Sequence, residues 1–357
     1  MTIFIIKKIF HGLLILLGVL TIVFFLFNIL PADPARMMLD KREDAQQLKV
    51  IQQKYAFDRP LIHQYLLYIN DISPFSIHYK NKDSFTSLEK KQYNYTKLFE
   101  LTDIVFVIKV PFLRESFLRK DQLVTTIIYN TFKNTFVLAL SSILIALIIG
   151  VFLGIISAIY KDTVLDKLIL FVSVIGMSLP SFFASIIIAW LFGFVLHQYT
   201  GLSMTGSLYE VDDYGRGSFL QIQNLILPAI TLGIRPLAVI VQLCRNSLID
   251  ILSMDYIRTA SAKGLSQFSV IFKHALSNAL NPVVTAVSGW FASLLAGAVF
   301  VEYIFDWNGI GKEIVEALNK MDLPVVMGSV LFIASIFIII NIMVDLIYSW
   351  LDPRVRL

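Results

Sequence analysis

The chain has 357 residues, 57% of them hydrophobic and 16% charged, with a net charge of +4 from 30 Lys and Arg against 26 Asp and Glu. A soluble domain carries about 25% charged residues. The deficit sits in long uncharged stretches, which excludes an ordinary soluble domain, and the single cysteine, Cys244, excludes a disulfide framework within the chain.

A membrane-crossing helix needs roughly 20 mainly apolar residues to cover about 30 Å of hydrocarbon. In chain order, the stretches 12–30, 134–160, 168–196, 275–301 and 323–344 reach that length without one Asp, Glu, Lys or Arg. A further stretch, 225–248, is apolar but interrupted by Arg235 and Arg245. Five such runs cannot all lie beneath the water-facing surface of one soluble core. The predicted fold class is an all-α integral membrane protein with about six transmembrane helices and a small mixed external subdomain. It divides into a tail and first helix over 1–30, the external subdomain over 31–126, and a five-helix core over 127–357 with a cytoplasmic link at 250–280. Two lysines, an apolar run and the small residues Ala32 and Ala35 also fit a signal peptide. That run is long for one, and cleavage would leave an odd number of spans.

Lys and Arg beside spans favour the cytoplasm when counted over short loops. One face collects Lys7, Lys8, Lys161, Lys167, Arg245, Arg258, Lys263, Lys273, Arg354 and Arg356. The short loops of the other face carry Arg216, Lys312 and Lys320. Both termini are therefore predicted to be cytoplasmic. The segment 31–126, with 15 basic and 12 acidic residues, is predicted outside. Within it, 44–55 and 60–69 read as short amphipathic helices, 104–110 as a strand ending at Pro111, and 81–97 as a polar, tyrosine-rich loop.

The segment 255–282 is the most informative. Asp255 reads as an N-cap, 256–263 as a two-turn helix, and Gly264 as the left-handed residue that ends it, with Leu265 supplying an apolar contact. Ser266 can cap a second helix over 267–276. So short and mixed a helix suits docking into a groove on another protein; the bland alternative is a solvated loop. Arg235 follows Gly233 and precedes Pro236. An arginine facing lipid at a helix centre costs about 2.5–3.5 kcal/mol and usually faces a cavity instead. It is therefore a candidate for lining a translocation path, with Ser181 and Gln242; the alternative is snorkelling to the interface.

Tyr256, Arg258, Thr259, Ala260, Ala262, Lys263, Gly264 and Leu265, followed by His274, Ala275, Asn278, Ala279 and Pro282, resemble the cytoplasmic coupling loop of ATP-binding cassette importer permeases, specifically the dipeptide/oligopeptide/nickel family. The resemblance extends to Pro31-Ala-Asp-Pro34 after the first run, Asp58-Arg-Pro-Leu61, Asn134-Thr135, Leu179-Pro-Ser-Phe182, Val301-Glu302, Gly309-Ile-Gly311 and the tail 351–355. The region 73–119 is longer than the family's usual linker. The resemblance implies a channel-forming subunit in a bacterial inner membrane, surrounded by lipid. Its expected partners are a second homologous permease, two cytoplasmic ATP-binding subunits and an external solute-binding protein received by 31–126, 201–219 and 306–322. Di- or oligopeptides are the expected cargo, with nickel or metal–chelator complexes as the alternative. It assigns ATPase coupling to Tyr256, Arg258, Thr259, Ala260, Lys263, Gly264 and Leu265.

The sequence has no Gly-x-x-x-x-Gly-Lys-Ser/Thr phosphate loop, so ATP hydrolysis is expected on separate subunits. The five histidines are scattered, and neither a metal, a cofactor nor nucleic acid is called for. An ion-coupled carrier would place ionisable groups at mid-membrane, and only Asp345 approaches that. A non-transporting scaffold would explain the docking helix but not the family resemblance.

Overall fold

The computed structural model describes residues 2–29, 56–80, 94–119, 121–211 and 217–351, with 49, 52, 86 and 88 as single residues. Long apolar runs fold as helices, since in lipid every backbone polar group must be satisfied within the segment. Among the described residues, four helices are long and apolar enough to cross a membrane: Ile5–Phe27 within α1 (Thr2–Ile29), α3 (Val124–Ile159), α6 (Gln223–Leu252) and Leu323–Leu346 within α12 (Leu323–Leu351).

Two expected spans depart from a single rod. The run 168–196 is broken into α4 (Val164–Ser178) and a second limb, α5 (Ser181–Ile188) continuing as a π-helix over Ala189–Val195, and the limbs bend by 108°. Pro180 is the cause: a residue before proline is forced out of the helical region, and Leu179 is extended at φ −74°, ψ 129°. The run 275–301 is divided among a helical turn Leu276–Ala279, α9 (Asn281–Gly297, 17 residues) and α10 (Val299–Ile304). Seventeen residues is the short end of what crosses a bilayer.

The chain separates into two compact units, one of residues 1–9, 131–313 and 335–357, the other of residues 10–130 and 314–334. In the first, α3 and α6 cross on a row of small residues four apart, Ala146, Gly150, Gly154 and Ala158. A Cβ at Gly154 would lie 2.7 Å from Cys244 Cβ, so only glycine admits this approach. Cys244 is fully buried there, the small packing residue its position predicts.

In the second unit, α2 (Leu61–Ile72) packs on α1: Leu20, Phe24, Tyr68, Leu323, Met327 and Leu331 share one core, and the Thr21 hydroxyl lies 2.6 Å from the Tyr65 hydroxyl. The predicted helix over 60–69 is this element, extended to Ile72. The one expected at 44–55 lies outside the described residues apart from Lys49 and Gln52. A three-stranded antiparallel sheet follows, in the order β1 (Phe75–Tyr79), β3 (Ile104–Lys109), β2 (Tyr95–Glu100). The predicted strand over 104–110 is its centre. β1 was not predicted, and β2 takes the end of the predicted loop. Ser76, His78, Val105, Val107 and Lys109 form the buried face. Lys109 Nζ donates to the Asp71 carbonyl at 2.9 Å, and Asp71 pairs with Arg114 Nε at 2.9 Å.

Burial pushes the Lys109 ammonium down to about 8. Between about pH 8 and pH 10.5 the unfolded lysine holds a proton that the folded one has released, so stability rises with pH across that window. Limited proteolysis of the sheet should slow over this range. In Lys109→Met the slope should vanish; the Asp71 carbonyl keeps its bond from the Phe112 N–H at 2.9 Å. An unchanged slope in the variant would exclude Lys109 as its source.

Candidate coupling and translocation site

At the end of α6 the chain turns through Met254 into α7 (Asp255–Ala262). Asp255 was predicted as the cap; the extended Met254 occupies that position, without a side-chain bond, and Asp255 is the first helical residue. There its carboxylate complements the positive end of the helix dipole. Ile257 and Ala260 are buried, in one core with Val270, Ala275 and Ala279. Tyr256, Arg258, Thr259, Lys263, Gly264 and Leu265 are all exposed. The packed side thus orients the helix, and six of the seven predicted coupling residues are presented outward, Ala260 alone facing in. Arg258 lies 3.7 Å from Asp255, an exposed pair worth little to stability.

Gly264 ends α7 at φ +80°, its N–H donating to the Ser261 carbonyl at 3.0 Å. Leu265 is 41% exposed rather than tucked against the helix end. The Ser266 hydroxyl accepts the Ser269 N–H at 3.3 Å, the predicted cap, and opens α8 (Gln267–Ser269). The chain continues as a π-helix over Val270–Ala275 and then into Leu276–Ala279. Residues five apart fall on different faces of an α-helix; the wider π turn lets Val270 and Ala275 both point inward. Asn278 Nδ2 donates to the Tyr256 hydroxyl at 3.1 Å, tying the returning segment to α7.

Arg235 is exposed and Gln242 half-buried, seven residues apart and so on one face of α6, with the exposed Asn246 a turn further. Ser181 sits elsewhere, half-buried at the start of α5, its carbonyl accepting from the Ser185 hydroxyl at 2.7 Å. Asp345 is ion-paired with Lys8 at 2.7 Å, and both are about 40% exposed. It is therefore a paired surface carboxylate rather than an ionisable group held in a transport path.

Two polar clusters escaped the sequence reading. Glu302 is fully buried. It accepts from the Thr135 hydroxyl at 2.6 Å and from the Gly311 and Lys312 N–H groups at 2.7 and 3.2 Å, so it caps α11 (Ile310–Asn319). Gly309 is required beside it, because a Cβ there would lie 2.4 Å from the carboxylate. The second cluster is Asp166 with Arg245: Nε and Nη2 of the arginine reach the two carboxylate oxygens at 2.7 and 2.6 Å, and the Ser157 hydroxyl donates to the same group. The available signal was two acids, Asp162 and Asp166, set between the two lysines of a short link, and an arginine inside an apolar run.

The family profile described as the binding-protein-dependent transport system inner membrane component matches residues 150–357. The chain belongs to this family. The profile of the N-terminal part of such transport-system membrane components matches residues 1–83. The dipeptide transport system permease protein DppB of Alkalihalophilus pseudofirmus is 33% identical over 356 residues, covering 96% of each chain. DppB of Bacillus subtilis is 31% identical, over 99% of this chain and 98% of its own length. The glutathione transport system permease protein GsiC of Escherichia coli K12 is 31% identical over the same shares. A chain of the inward-facing MetNI methionine ABC transporter superimposes with a TM-score of 0.49 at 15% identity, covering 64% of this chain and 97% of that one. As an inner membrane component of binding-protein-dependent transport, this chain is an importer permease of a bacterial inner membrane. ATP hydrolysis lies on separate subunits, and a solute-binding protein delivers the cargo.

Proposed function

We propose that this permease carries di- or oligopeptides into the cytoplasm, pairing with a second homologous permease, with both termini on the cytoplasmic side. The observation that carries the cargo is end-to-end similarity to permeases named for dipeptides and for glutathione, itself a peptide. The outward face of α7, with Tyr256, Arg258, Thr259, Lys263, Gly264 and Leu265, docks on an ATPase subunit. Closure of the ATPases then moves α6, which is continuous with α7 through only Ser253 and Met254. The exposed stripe of α6 lines the path, where Arg235 meets the carboxylate of the passing peptide. The external subdomain receives the binding protein.

ATP-dependent uptake of labelled dipeptides by the reconstituted importer tests the cargo. Uptake of nickel alone, without peptide, would overturn it. In the same vesicles Arg235→Gln should raise the KM for peptide roughly tenfold, since a hydrogen bond to a charged group contributes about 1.5–3 kcal/mol. Unchanged kinetics would place Arg235 at the membrane interface instead.

A further inference from the structure

The sheet of the second unit carries apolar side chains on both faces. Its protected face holds Val105 and Val107 with His78, Ser76 and Lys109, while its open face is also largely apolar. Antiparallel pairing places Phe75 opposite Ile108, Ile77 opposite Phe106 and Phe99 beside Phe106 on that face. Tyr79 completes the row along β1. Phe75 is 70% exposed and Phe99 54%, and the Phe99 and Phe106 rings stack at 4.3 Å. Soluble surfaces seldom carry a contiguous apolar patch of this kind unless something covers it.

Its surroundings say what that is. α2 rests on Thr21, Phe24 and Phe25, in the last turns of the uncharged run 12–30 that forms most of α1. At 1.5 Å per residue, these contacts lie about 8–14 Å inside the end of that run. An interfacial helix buries its apolar side about 5–10 Å into the boundary between headgroups and acyl chains. On the side of α2 away from α1, Ile62 and Leu66 are exposed, four residues apart. Asn70, the next residue of that stripe, clamps β1 through both backbone groups of Ile77, at 3.0 and 2.9 Å. The exposed stripe of α2 is thereby tied to β1, whose Phe75, Ile77 and Tyr79 line the open face. Lys97 and Glu100 belong to the opposite face, where they pair at 2.6 Å.

We propose that α2 and the open face of this sheet lie in the membrane surface at the C-terminal end of α1, so that the subdomain is an interfacial anchor seated on lipid. Phenylalanine, isoleucine and tyrosine side chains would enter the leaflet, and the exposed charges of β2, Lys97 and Glu100, would stay in water. The inference does not depend on the cargo or on coupling through α7.

The test uses the full-length chain in nanodiscs of phosphatidylethanolamine and phosphatidylglycerol. The only native cysteine, Cys244, is fully buried, so single nitroxide labels can be placed at Leu66→Cys, Ile77→Cys, Phe99→Cys and, on the opposite face, Lys97→Cys. Collisions with oxygen, which partitions into lipid, should exceed those with a water-soluble nickel chelate at 66, 77 and 99, and the order should reverse at 97. Nickel chelate reaching 77 and 99 as freely as 97 would overturn the proposal by showing the face in water. Low collision rates with both reagents at 77 and 99 would overturn it equally, because protein would then cover the face.

Discussion

Gly264→Val is expected to abolish uptake while the chain still inserts and accumulates. At φ +80° the residue sits where a β-branched side chain is strongly disfavoured, a strain of about 1–3 kcal/mol. An added Cβ meets nothing within 4 Å, so the cost is entirely backbone conformation and the transmembrane packing is untouched. α7 is the element that must yield. It has eight residues, far below the length at which a helix is stable alone, and it is held by Ile257, Ala260 and its two ends. Loss of its last turn would redirect Lys263 and Leu265. Gly264→Asn is the control, because asparagine tolerates the left-handed region, and it should retain most of the uptake. Uptake by vesicles containing each variant, measured beside their ATPase activity, decides the matter. Wild-type uptake in the valine variant would remove α7 from the coupling role.

The two ends of α7 show how legible the site was. Gly264 and Ser266 carry their chemistry locally: one supplies a positive φ, the other a hydroxyl three residues before the N–H it accepts. Such features are written in a few neighbouring residues. The displacement of Asp255 by Met254 is a one-residue slip of the kind propensity does not resolve, since aspartate is favourable both at the cap and in the first turn. The bend at Leu179-Pro180 was present in the sequence as a proline inside an apolar run, but apolar length alone does not separate a straight span from a broken one. Glu302 and Asp166 were hidden for another reason. Their partners Thr135 and Arg245 lie 167 and 79 residues away, and such pairing is set by helix packing rather than local pattern. The open apolar face of the sheet was masked likewise, because three strands had to be registered before Phe75, Phe99 and Ile108 could be seen to share it.

Asp166→Leu is expected to be the most destabilising single change in the membrane core. The carboxylate side chain is 2% exposed and the guanidinium 15%. Both arginine contacts are short and parallel, the geometry of a strong bidentate pair. Asp166 also accepts from the Asp162 N–H at 2.9 Å and from Ser157, so it fastens the end of α3 and the start of α4 to α6. Removing one member of a buried pair leaves a charge without compensation and costs about 3–5 kcal/mol, whereas replacing both by apolar residues is often nearly neutral. The single variant should therefore lose most folded protein on heating in mild detergent. Asp166→Leu combined with Arg245→Leu should recover much of that loss, while Arg245→Leu alone falls between them, because its orphaned carboxylate keeps the Ser157 and Asp162 donors. A double variant no better than Asp166→Leu would mean that the aspartate acts through its backbone-facing bonds and not through the arginine. Uptake separates stability from mechanism. If α4 and α6 must move as one body for the path to open, the double variant will fold and yet transport slowly, since only van der Waals contact would then couple the two helices at that level.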